Sequence, residues 1–97
     1  MTSNSTREAV LKALQEIQTL SGRKWVALTD ACRPITKLPG FDSPNGIEFT
    51  CLIEEYLKCE LPLEENLCVE DLGGGHRSAR TIAQIVARLE ELLTVKG

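Results

Sequence analysis

A chain of 97 residues has room for one modest core, and a net charge of −3 argues against nucleic acid or an anionic membrane surface as a partner. The apolar supply is mostly Leu, Ile, Val and Ala with only 4% aromatic residues, which favours helices packed on helices over a sandwich. No apolar run approaches the roughly 18 residues of a membrane span, and the polar start Met1-Thr2-Ser3-Asn4-Ser5 has no signal-peptide core, so a cytoplasmic, single-domain monomer over residues 1–97 is expected. Four cysteines without a CxxC pair, and one histidine, are expected as reduced thiols and a surface residue, with no metal centre.

The first helix is predicted over about residues 6–21. Ser5-Thr6-Arg7-Glu8 has the capping-box spacing, and Val10, Leu11, Leu14, Ile17 and Leu20 recur at three- and four-residue steps. Arg7, Lys12, Gln15, Glu16 and Gln18 are left for solvent or partners, and Gly22 is the expected C-terminal cap. Residues 23–41 form a connection longer than the roughly 12–15 residues at which structureless loops become uncommon. Trp25, Val26, Leu28, Ile35, Leu38 and Phe41 are therefore expected to pin it to the core.

Gly40-Phe41-Asp42-Ser43-Pro44-Asn45-Gly46-Ile47-Glu48-Phe49 reads as that loop turning into a second helix, about residues 44–58. Asp42 and Ser43 both cap helices well, and Pro44 is tolerated at the first positions because the N–H it lacks has no partner there. A hydroxyl held at such a start sits where the helix dipole favours a negative substituent. Ile47, Thr50, Ile53 and Leu57, joined by Phe49, are expected to face inward. Pro44, Glu48, Cys51 and Glu55, at steps of four, three and four, form a stripe on another face that begins beside Ser43. Gly46 costs about 1 kcal/mol relative to alanine in a helix, and nothing in the sequence accounts for it. Across residues 42–71 nine acids face a single base, Lys58, which makes this region either a solvated face or a docking surface for basic enzymes.

Pro62 stops the second helix. Residues 63–70 are expected to supply a short third helix, with Leu63, Leu67 and Val69 closing one side of a cavity. Gly73-Gly74-Gly75-His76 lacks both the Walker lysine and the GxGxxG spacing, and is expected as a flexible linker. Thr81-Ile82-Ala83-Gln84 fits a capping box for the last helix, about residues 82–94. Its Ile82, Ile85, Val86, Leu89, Leu92 and Leu93 give the clearest amphipathic pattern in the chain, expected to pack on the first two helices.

The order of these parts resembles the acyl carrier proteins. Gly-Phe-Asp-Ser ahead of Ile47-Glu48-Phe49 and Ile53-Glu54-Glu55 looks like the family's phosphopantetheine attachment region, and Glu60-Leu61-Pro62 resembles the acidic turn after its second helix. The resemblance implies an all-α, four-helix acyl-carrier-like bundle with a long first loop and a short third helix. It implies a carrier rather than an enzyme, holding acyl intermediates as thioesters for fatty-acid, lipid or polyketide-type synthesis. Ser43 would carry a covalent 4'-phosphopantetheine received from coenzyme A through a phosphopantetheinyl transferase, with Asp42 as its acidic neighbour. Pro44, Glu48, Cys51 and Glu55 would contact the basic surfaces of acyl-loading and acyl-processing enzymes. The family pattern is Asp-Ser-Leu, from which Pro44 departs. The alternative is a carrier-like helical module that is never modified and acts by binding partners through its acidic face. An enzyme built on His76 and a cysteine lacks the positioned groups that acid–base catalysis requires.

Overall fold

The computed structural model describes residues 2–62 and 65–96, with side chains over 5–62 and 65–93. In chain order the elements are α1 (Thr2–Leu20), α2 (Pro34–Lys37), α3 (Ser43–Leu57), β1 (Val69–Gly73), β2 (His76–Ala79) and α4 (Ile82–Lys96). The strands form a two-stranded antiparallel sheet, so the architecture is mixed α and β and the all-α expectation is corrected.

α1 is the element on which the others assemble, packing against both α3 and α4. Val10, Ala13, Leu14 and Ile17 from α1 meet Phe49 and Ile53 from α3 and Ile82, Ile85 and Leu89 from α4, all buried in one cluster. The helix begins earlier than the Ser5 capping box implies, because nothing in Thr2-Ser3-Asn4 breaks it and each added residue contributes one backbone hydrogen bond. It ends as expected. Gly22 is left-handed (φ +69°), and the Gly22 N–H to Thr19 O and Arg23 N–H to Gln18 O bonds complete a Schellman motif.

The long connection is pinned, but only partly by the residues expected. Leu38 and Phe41 are buried, whereas Trp25, Val26, Leu28 and Ile35 are half-buried against the core. Gln18, expected on the outer face, is fully buried, and its Nε2 donates to Lys24 O at 2.9 Å and Pro39 O at 3.0 Å. One buried amide thus satisfies two loop carbonyls that would otherwise be costly to desolvate. Within the loop Pro34 starts the single turn of α2, too short to leave a periodic signal. The loop also meets α4, whose Ile82 and Ala83 N–H groups donate to Cys32 O and Asp30 O.

The greatest departure is after Pro62. Leu63 and Glu64 lie outside the described residues, and so does Leu63's expected place beside a cavity; residues 65–68 are not helical, and β1 begins at Val69. The expected linker is the turn of a hairpin. Gly73 pairs with His76, so Gly74 and Gly75 form a two-residue connection with φ of +60° and +83°, a conformation that glycine adopts without steric cost. Thr81 and Gln84 then form the expected capping box, with Thr81 N–H to Gln84 Oε1 at 2.9 Å and Gln84 N–H to Thr81 Oγ1 at 3.1 Å.

Candidate functional site around Ser43

α3 presents Ser43 as its first residue. Asp42, the N-cap, is extended and pairs with Asn45 in a capping box, in which Asn45 Oδ1 accepts from the Asp42 N–H at 3.2 Å. The Asn45 amide donates to Glu48 Oε1 at 2.8 Å. Arg23 reaches the same corner from the far side of the loop, donating to Gly40 O at 2.6 Å and to Asn45 Oδ1 at 3.2 Å. The turn into α3 is thereby fixed on both sides of Ser43, which is itself half-buried between exposed Asp42 and exposed Pro44.

The missing account of Gly46 is supplied by Asn66. A Cβ on Gly46 would stand 2.3 Å from Asn66 Oδ1, so only glycine lets the Asn66 side chain lie this close to α3. Asn66 Nδ2 donates to Ser43 O at 2.9 Å and lies 3.4 Å from Ser43 Oγ, while its Oδ1 accepts from the Cys68 N–H at 3.1 Å. Two further sets of bonds hold the segment. Thr50 Oγ1 donates to Gly46 O at 2.9 Å and accepts from the Leu67 N–H at 3.1 Å. Glu65, whose side chain is only 10% exposed, accepts two bonds from Arg88 and lies 3.6 Å from Arg80. Hydrogen bonding to Glu65 and then Glu91 raises the Arg88 pKa. Sequence reasoning missed Asn66 entirely; Gly46, a glycine without a local purpose, was the one sign that something approaches α3 closely.

The predicted stripe is on the outside of α3. Pro44, Glu48, Cys51 and Glu55 are all exposed. Ile47 is not inward-facing as expected but 55% exposed, because the buried face of α3 follows Gly46, Phe49, Thr50 and Ile53, one residue out of phase with it. Ile47 and the exposed Leu20 at the end of α1 join Ile17, Leu52, Glu48, Cys51 and Glu55 in lining a cleft of about 310 Å³. The exposed face of α3 therefore combines carboxylates with aliphatic surface.

None of the four cysteines forms a disulfide, and no cluster of metal-ligating side chains occurs among the described residues. His76 is exposed on the hairpin. No helix among the described residues is long and apolar enough to cross a membrane. Comparison with protein-family models, curated proteins and solved structures gave no match.

Proposed function

We propose that the protein is an acyl carrier modified on Ser43 by 4'-phosphopantetheine. The observation that carries this reading is the placement of Ser43: first residue of a fifteen-residue helix, directly after its Asp42 cap, at one end of an exposed acidic and aliphatic face. The residues fit the group. Ser43 is only half-buried, the start of α3 favours an attached phosphodiester through its dipole, and the flanking Asp42 and Pro44 are exposed. When attached, the arm supplies a thiol that holds acyl groups as thioesters. The chain's own residues hold the attachment point still, and α3 offers Pro44, Glu48, Cys51 and Glu55, with Ile47, to the enzymes that load and process the cargo. On this reading the protein is not an enzyme and works as a monomer in the cytoplasm. Its partners are a phosphopantetheinyl transferase and acyl-handling enzymes with basic surfaces.

Intact-protein mass after incubation with coenzyme A, magnesium and a broad-specificity phosphopantetheinyl transferase tests the reading. One phosphopantetheine adduct is expected on the wild type and none on Ser43→Ala. A folded wild type that stays unmodified with several transferases would instead favour an unmodified module binding through the same face. Pro44, where the carrier pattern has leucine, would then be the first residue to change.

A further inference from the structure

The contacts of Asn66 reach beyond scaffolding. Its Nδ2 is shared between the carbonyl and the hydroxyl of Ser43, at 2.9 and 3.4 Å, and its Oδ1 is held by the Cys68 N–H. The amide is therefore oriented from behind, and its plane is fixed against Gly46, where no side chain intervenes. A serine hydroxyl free of such a partner samples three staggered χ1 wells. Donation from Asn66 selects the well in which one Oγ lone pair faces the amide, leaving the other lone pair and the proton for an incoming reactant.

We propose that Asn66 is a positioning residue that holds the Ser43 hydroxyl in the orientation required for group transfer. The proposal rests on the carrier reading of Ser43. In the transfer, Ser43 Oγ forms a bond to the pantetheine-bearing phosphorus of coenzyme A as the bond from that phosphorus to the bridging oxygen breaks. Adenosine 3',5'-bisphosphate leaves with the electron pair, and the hydroxyl proton passes to a base of the transferase. Asn66 touches none of the breaking bonds. It raises the fraction of molecules whose hydroxyl is aligned, and an apparent rate scales with that fraction.

The test uses Asn66→Asp and Asn66→Ala in the full chain. The aspartate keeps the size of the side chain and the acceptor for the Cys68 N–H but has no hydrogen to donate to Ser43. Three-bond Hα–Hβ couplings of Ser43 in the unmodified protein read its rotamer directly. The wild type is expected to show one dominant χ1 well, and both variants averaged couplings. With the transferase, kcat for modification should fall about threefold, the number of staggered wells, while KM for the protein stays unchanged because the docking face is intact. Averaged couplings in the wild type would overturn the proposal even if neither variant folds. Equal kcat in wild type and folded variants would overturn it too, while leaving the carrier reading standing. A wild type with one rotamer but no adduct would remove the carrier reading and, with it, this role for Asn66.

Discussion

In most helices, replacing a glycine in the first turn with alanine stabilises by about 1 kcal/mol. Gly46 should behave in the opposite way. Its missing Cβ is what lets Asn66 Oδ1 approach, and a methyl group 2.3 Å from that oxygen displaces the Asn66 side chain and the bonds it makes to Ser43 and Cys68. Gly46→Ala is expected to lower stability by about 1–3 kcal/mol, the range for overpacking, measured as a shift in the urea midpoint. A midpoint at or above that of the wild type would contradict the packing described. Cys68 gives a second residue-scale prediction. Burial raises its thiol to about 12, opposed only by the charge of Arg80. Its folded pKa thus lies above the reference value of 9.0, so the stability it contributes is complete below pH 9 and is lost as pH rises toward 12. At pH 8 exposed Cys51 should therefore react with an alkylating reagent well before Cys68, which becomes reactive on unfolding. Equal rates at the two thiols in native protein would refute this.

Elements were legible where a local rule fixes them. Gly22 after the periodic run of α1, Asp42-Ser43-Pro44 before α3 and Thr81 with Gln84 before α4 each satisfy backbone groups within a few residues, and all three appear in the structure. The strands were not legible. β1 is almost wholly exposed and shows no alternation of apolar and polar residues, so it left no strand signal, and the glycines of its turn read as a flexible linker. What holds the preceding segment in place is spread over the chain, from Thr50 and Ser43 to Arg80 and Arg88, and no window of sequence contains it. Gln18 shows the same gap, since periodicity cannot foresee that two loop carbonyls will need a buried amide. The outer face of α3 was legible in its acids but not in Ile47, which adds aliphatic surface beside them. If that face docks basic enzymes, the double change Glu48→Lys and Glu55→Lys should weaken binding to the transferase about tenfold at low salt. The difference should shrink as salt screens the charges. Binding by the wild type that is unchanged between low and high ionic strength would sink the electrostatic role of both residues.

The molecule as a whole divides its labour between a buried side and an open one. Its Cα radius of gyration, 12.6 Å, is close to the roughly 13 Å of a compact chain of about 100 residues. α1 holds α3 and α4, the 23–41 connection crosses to the start of α4, and the hairpin region closes on the start of α3 through Asn66 and Thr50. Arg23, Asn45 and Asn66 meet at the corner that contains Ser43, while the acidic and aliphatic face of α3 is left open. On the proposed carrier reading, Ser43 held by these bonds beside an open face would suit tethered delivery, since a tether presents its cargo at an effective concentration set by reach. Modification of the Ser43 oxygen can be located by peptide-level mass spectrometry of transferase-treated protein. Trypsin releases the peptide from Leu38 to Lys58, in which Ser43 is the only serine. A phosphopantetheine adduct is expected on that peptide, at Ser43, and on no other. An adduct at any other position, or none on folded protein, would contradict it.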